Sequence, residues 1–168
     1  MARVGIALGS NLGDRLANLR AARTLLLRLA PPGAAFLQAP VYQTAPGHCP
    51  ADSPDFYNTV VEIEFDGTPC ELLAQTRQIE ATLGRTAAAV RNAPRVIDVD
   101  LLYVGAEMVA SKVLELPHPR LALRRFVLQP LADIRPELRL PGEATSIAEH
   151  LRQLGDDEPA LALVRVDW

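Results

Sequence analysis

Cysteine is almost missing from this chain. Its only two, Cys49 and Cys70, lack CxxC spacing and are too few for a disulfide framework. Aromatics are also sparse, with four Phe and three Tyr, and basic charge is not in excess: the net charge is −3 and no basic block occurs. These shortages argue against a nucleic-acid binder held mainly by electrostatics, and against an RNA-binding sheet with exposed aromatics on a basic face. No signal peptide and no apolar run of membrane-spanning length occurs, so no membrane partner and a cytosolic location are expected. No glycine pattern matches a Walker A loop or a dinucleotide fingerprint. What remains is a 168-residue chain, 49% hydrophobic and 22% charged, expected to form one globular domain over residues 1–168. An anionic ligand would need a local arginine cluster.

Such a cluster leads into the most informative stretch. Arg85, Arg91 and Arg95 lie on a polar link, followed by Val96-Ile97-Asp98-Val99-Asp100-Leu101-Leu102-Tyr103-Val104, which reads as a strand. Alternation puts Ile97, Val99, Leu101 and Tyr103 on one face and Asp98 and Asp100 on the other. Their Cα atoms would lie roughly 6.5–7 Å apart, and two carboxylates that close repel unless a cation joins them. Mg²⁺ is the natural candidate, since it fills its shell with carboxylate, water and phosphate oxygens. The arginines beside them then read as a mobile phosphate clamp.

The other elements follow in order. Val4 to Leu8 is a short apolar strand ending in the turn Gly9-Ser10-Asn11-Leu12-Gly13-Asp14, with Asp14 capping a helix from about Arg15 to Leu29. Ala34 to Tyr42 is extended, and Thr44 to Pro54 is an irregular loop in which the adjacent His48 and Cys49 make a poor metal site. Phe56 to Phe65 is the strongest strand, with Phe56 and Asn58 on one face, an aromatic and an amide suited to a flat heterocycle. Thr68 and Pro69 open a helix whose stripe Leu72, Leu73, Thr76, Ile79 and Leu83 ends at Gly84. Glu80, late in that helix, opposes the dipole and needs a partner or a solvent exit. Prolines 117 and 119 present His118, ahead of a helix carrying Arg124, Arg125, Phe126, Leu128 and Leu131. A helix near Ser146 to Leu154 and a strand from Leu161 to Val166 look structural.

Five of these segments together resemble the 6-hydroxymethyl-7,8-dihydropterin pyrophosphokinase family: Gly9 to Asp14; Tyr42-Gln43-Thr44-Ala45-Pro46; Pro54-Asp55-Phe56-Tyr57-Asn58; Ile79-Glu80 and Gly84-Arg85 with Pro94 to Asp100; and Leu116-Pro117-His118-Pro119 through Arg124 and Phe126. The resemblance implies an α+β, ferredoxin-like fold and transfer of pyrophosphate from ATP to the pterin alcohol. It implies two Mg²⁺ ions on Asp98 and Asp100, and a pterin between Phe56 and Phe126 with Asn58 and Thr44 on its polar edge. Nucleotide would lie on Glu80, Arg95, His118 and Arg124, with Arg85 in a closing loop and the protein a monomer. The family's usual loop tryptophan is Asn92 here, and an arginine often found in the loop is Ala87. A relative that binds pterin or nucleotide without transfer is the competing reading. Both aspartates together with Arg95 argue against it.

Overall fold

A computed structural model describes residues 1–45, 54–84, 94–156, 158 and 160–168. Its elements are β1 (Ala2–Ser10), α1 (Arg15–Leu27), β2 (Leu37–Gln38), β3 (Val41–Thr44), β4 (Phe56–Phe65), α2 (Pro69–Thr82), β5 (Asp98–Val104), β6 (Val109–Ala110), β7 (Glu115–Leu116), α3 (Arg125–Ile134), α4 (Ile147–Gln153) and β8 (Ala162–Arg165). The main sheet runs β5-β1-β4-β3-β8 with every neighbour antiparallel, and β2 also pairs with β4. The fold is therefore α+β. No helix among the described residues is long and apolar enough to cross a membrane.

Local chemistry explains the helices. Asp14 accepts from the Ala17 N–H at 3.0 Å and starts α1, whose Leu19, Ala22 and Leu26 recur at helical spacing and are buried. The helix stops at Leu27, before the Pro31-Pro32-Gly33 break and two residues short of the expected end. Thr68 and Glu71 form a reciprocal capping box with Pro69 at the first position of α2, and Leu72, Thr76 and Ile79 face inward. Gly84 follows at φ 108°, a backbone conformation that glycine adopts without strain.

The sheet is covered on both sides. Val4, Ile6 and Leu8 of β1, Val61 and Ile63 of β4, and Val99, Leu101 and Val104 of β5 form one core with α1 and α2. Val60, Leu102 and Tyr103 form the other with Val127, Leu128 and Leu131 of α3 and Ile147 of α4. Past β8, Trp168 returns to the first core and donates its Nε1–H to the Ala39 carbonyl at 2.7 Å.

Other details also depart from expectation. The strand β1 is longer than the apolar run, so Gly9 and Ser10 belong to it and not to the turn. In β5, Tyr103 does not share a face with Val99 and Leu101. The β1–β5 register shifts between Gly5 and Ile6, pairing Gly5 with Tyr103 and Ile6 with Leu101, so Leu102 is an extra residue and the alternation slips. Tyr103 thereby reaches the second core, where its hydroxyl donates to Glu62, a carboxylate only 3% exposed that also pairs with Arg3 at 3.3 Å and Arg135 at 3.6 Å. Burial and the adjacent carboxylate raise the Tyr103 pKa, so its proton stays in that bond. The β6–β7 hairpin was also not anticipated.

The ring of Tyr103 fits because Gly5 has no side chain: a Cβ there would lie 2.2 Å from Tyr103 Cε1. Gly5→Ala should therefore cost about 1–3 kcal/mol by overpacking, read as a lower urea midpoint at unchanged slope. A variant as stable as wild type would show that the tyrosine can move aside freely.

Candidate active site

Most of the expected site residues that are described lie toward one end of the α3 face, near Gly9 at the end of β1, with Glu80 reaching the edge strand from α2. Gly9 pairs with Asn58 of β4 on one side and Asp98 of β5 on the other, and Ala7 pairs with Val60 and Asp100. Strands lie about 4.8 Å apart, so Asn58 and Asp98 flank Gly9 across roughly 9.6 Å of sheet. The floor between them carries no side chain. A Cβ on Gly9 would lie 2.8 Å from Asn58 Oδ1 and 3.5 Å from Phe56 Cδ1, so the amide and the ring lean over the glycine.

On the β4 side, the Asn58 side chain is buried and donates from Nδ2 to Thr44 Oγ1 at 2.7 Å. Strand pairing of Thr44 with Phe56 and of Tyr42 with Asn58 holds this pair in place. Phe56 is half-buried, and Phe126, in the first turn of α3, packs half-buried against the second core on the same side of the sheet. Arg124 caps α3 without a side-chain bond and places its guanidinium 5.4 Å from the Phe126 ring centroid. Behind them the Tyr42 hydroxyl donates to Asp133, fastening β3 to α3.

The β5 side is polar. Asp98 is half-buried and pairs with Arg95 Nη1 at 2.8 Å, while Asp100 is exposed. Glu80, called on to find a partner, accepts the Val99 N–H at 3.0 Å, so α2 holds the strand between the two aspartates. The His118 N–H donates to the Leu102 carbonyl at 2.8 Å, and His118 Nδ1 accepts the Arg120 N–H at 3.1 Å, which leaves Nε2 to carry the proton of the neutral ring. Glu80, Asp100, His118, Thr76 and Lys112 line a cleft of about 410 Å³ beside this strand edge. Two carboxylates are a hard-oxygen donor pair that suits Mg²⁺, and among the described residues no cluster of three or more His, Cys, Asp or Glu offers a fuller cage. The remainder of such an ion's shell would come from water and phosphate.

Arg85, Arg91, Ala87 and Asn92, and likewise Pro46, His48 and Cys49, lie outside the described residues. The other predicted site residues do come together. One position had been read as part of a turn and of the resembling segment Gly9 to Asp14, with no role of its own. Asn11, fully buried, accepts the Arg95 N–H on Oδ1 at 2.7 Å, donates its own N–H to the Arg95 carbonyl at 3.0 Å, and donates Nδ2 to the Pro54 carbonyl at 3.2 Å. The available signal was an amide, donor and acceptor at once, placed directly after an apolar strand.

Comparison with known families matches residues 5–136 to 7,8-dihydro-6-hydroxymethylpterin-pyrophosphokinase (HPPK). The chain belongs to this family. It is 44% identical over 142 residues to the 2-amino-4-hydroxy-6-hydroxymethyldihydropteridine pyrophosphokinase of Bacillus subtilis, covering 84% of this chain and 81% of that one. The Pseudomonas aeruginosa protein of the same name is 38% identical over 139 residues, covering 83% and 84%. The mitochondrial folate synthesis bifunctional protein of Pisum sativum is 42% identical over 132 residues, 78% of this chain but only 25% of its own length. Among solved structures, Plasmodium falciparum HPPK-DHPS with pteroate superposes at a TM-score of 0.69 and 14% identity, over 90% of this chain and 42% of that one. That likeness concerns the fold.

All the described HPPK-like site residues, from Thr44 to Phe126, fall inside the matched stretch, whereas α4, β8 and Trp168 lie beyond it and brace the two cores. Within the site, burial and the nearby Arg124 and Arg120 lower the His118 pKa below its ordinary 6.5. The folded state thus binds this proton less readily than the unfolded chain. Stability from this group is full above pH 6.5 and declines as pH falls from there toward the folded value. The urea midpoint of wild type should drop relative to His118→Gln on going from pH 8 to 5. Parallel profiles would show that the His118 pKa is not lowered by folding and would contradict the depression.

Proposed function

We propose that the chain transfers a pyrophosphoryl group from ATP to 6-hydroxymethyl-7,8-dihydropterin, releasing AMP and the pterin diphosphate, a step of folate biosynthesis. The observation that carries this reading is the register Asn58–Gly9–Asp98, an amide and a carboxylate facing each other across a bare strand. Family membership supports it. A flat ring would stack between Phe56 and Phe126, with its polar edge on Asn58 and Thr44, and its hydroxymethyl arm would point over Gly9 toward β5. The cleft along Glu80, His118 and Asp100 would receive the nucleotide, whose phosphates would meet Arg95 and Arg124.

Asp98 and Asp100 would hold two Mg²⁺ ions, whose positive charge would supply Lewis-acid stabilisation at the phosphates. The residues of the chain supply orientation. Glu80 fixes the Val99 N–H and so the strand that carries both aspartates, and Arg95 stands beside Asp98 ready to compensate the charge that develops on the phosphates. No separate general base is required of the site: the alcohol can release its proton as the bond to phosphorus forms, with Asp98 or Asp100 as a weak acceptor. Arg85, in the loop outside the described residues, would close over the phosphates and help exclude water, which would otherwise compete as acceptor. The working unit would be a monomer, with residues 1–168 as one domain.

The same reading extends to the fold. The order β5-β1-β4-β3, with α1 between β1 and β3 in sequence and α2 between β4 and β5, supports a ferredoxin-like split βαβ arrangement.

The test is product analysis. AMP should appear only when ATP, Mg²⁺ and the pterin alcohol are all present. Asp98→Asn and Asp100→Asn should each lower turnover by at least about 100-fold, since metal-borne charge stabilisation is worth several kcal/mol, with the thermal midpoint little changed. ADP as product, or near-normal turnover by either variant at modest Mg²⁺, would contradict the proposal.

A further inference from the structure

Asn11 stands where the two halves of the site meet. It follows the last residue of β1, the strand between β4 and β5, and is fully buried. Its side chain and backbone make three bonds to two segments distant in sequence. Two of them hold the backbone of Arg95, one at its N–H and one at its carbonyl. The third holds the Pro54 carbonyl. Pro54 leads within two residues to Phe56, and Arg95 pairs with Asp98 three residues on. One amide therefore fixes the root of the acceptor strand and the root of the phosphate strand to the same point. Asn18 secures the turn from behind, donating to Ser10 Oγ at 3.1 Å and to the Leu12 carbonyl at 2.9 Å.

The chemistry of the position is demanding. The Arg95 arm needs an acceptor and the Pro54 arm needs a donor, at the same time and from one short side chain. A primary amide offers them on two separate atoms of one short planar group, whereas a hydroxyl would have to serve both partners from a single oxygen. Aspartate keeps the acceptor, loses the donor and sets a lone pair against the Pro54 carbonyl. Alanine loses both and strands the Arg95 N–H, which is expensive in a buried place.

We infer that Asn11 is a positioning residue that couples the two substrate sites. Ordering of the segment at Pro54 by a bound pterin is passed through Asn11 to the backbone of Arg95, and ordering at Arg95 by bound nucleotide is passed back. The coupling rests on the substrate assignment proposed above. It predicts that each ligand tightens the other, by the same factor in either order. It also predicts that this factor, and not merely each separate affinity, belongs to Asn11.

The experiment is a binding square on the whole chain. Affinities of the pterin alcohol and of a non-hydrolysable ATP analogue with Mg²⁺ are measured alone and with the partner saturating, for wild type, Asn11→Ala and Asn11→Asp. Wild type should show mutual tightening of about 5-fold or more, and both variants less than twofold. The charge added by aspartate would weaken nucleotide binding with and without pterin alike, so it cancels in the ratio. Trp168, remote in the first core, reports whether each variant is folded, and Asn11→Asp carries the test if Asn11→Ala does not fold. Full coupling in either folded variant would overturn the inference, as would separate affinities that fall while the factor stays. A wild type that binds both ligands independently would overturn it too. A wild type that binds neither would instead strike the substrate assignment itself.

Discussion

Everything near the site depends on one strand having no bulk on one face. Toward α3, β1 presents Gly5, Ala7 and Gly9, while toward α1 and α2 it presents Val4, Ile6 and Leu8. The apolar face fastens β1 in the interior of the sheet, between β5 and β4. The bare face lets its neighbours lean in from both sides. Over Gly5 they are Tyr103 and Glu62, and over Gly9 they are Asn58 and Phe56. A side chain at either glycine would collide with what now fills the space. The same alternation of pleat thus places a buried tyrosine–carboxylate pair over one glycine and an aromatic beside an amide over the other, on one surface.

Charge is handled differently at those two ends. At the closed end, Glu62 is buried but shared among Tyr103, Arg3 and Arg135, so its desolvation is offset by a full set of partners. At the open end, Asp98 and Asp100 lie on an edge strand beside Arg95, Arg124 and a neutral His118. Strand β5 is steadied there by Glu80 on the Val99 N–H and by the His118 N–H on the Leu102 carbonyl. Two carboxylates on an edge strand, with arginines at hand, would suit a divalent cation together with an anionic ligand. The arrangement favours a ligand that brings cations and anions together over either alone.

Periodicity and caps carried most of the fold into view. Phe56–Phe65 occurs with the expected bounds, and the caps at Asp14 and Thr68 form as expected. Alternation failed at Tyr103 because a bulge is a property of two strands, and nothing in the β5 sequence alone announces the slip opposite Gly5. The short β6–β7 hairpin has too few residues for a periodic signal. Most of the candidate site was legible because its proposed chemistry is written in residue types: paired aspartates, arginines, and an aromatic beside an amide. Asn11 was not, since its importance lies in two partners 43 and 84 residues away. Glu80 was legible as a need, a carboxylate at the wrong end of a helix, but not as a bond to Val99.

The central claim is that the alcohol and the nucleotide meet across the bare end of β1 so that the hydroxymethyl oxygen attacks the β-phosphorus. Pterin alcohol labelled with ¹⁸O in its hydroxymethyl group tests this most directly, by mass and ³¹P analysis of the products. The account predicts that the label sits in the bridge between carbon and phosphorus of the pterin diphosphate, with none in AMP. Loss of the label to solvent, or its appearance in AMP, would mean that another bond breaks and would contradict the account.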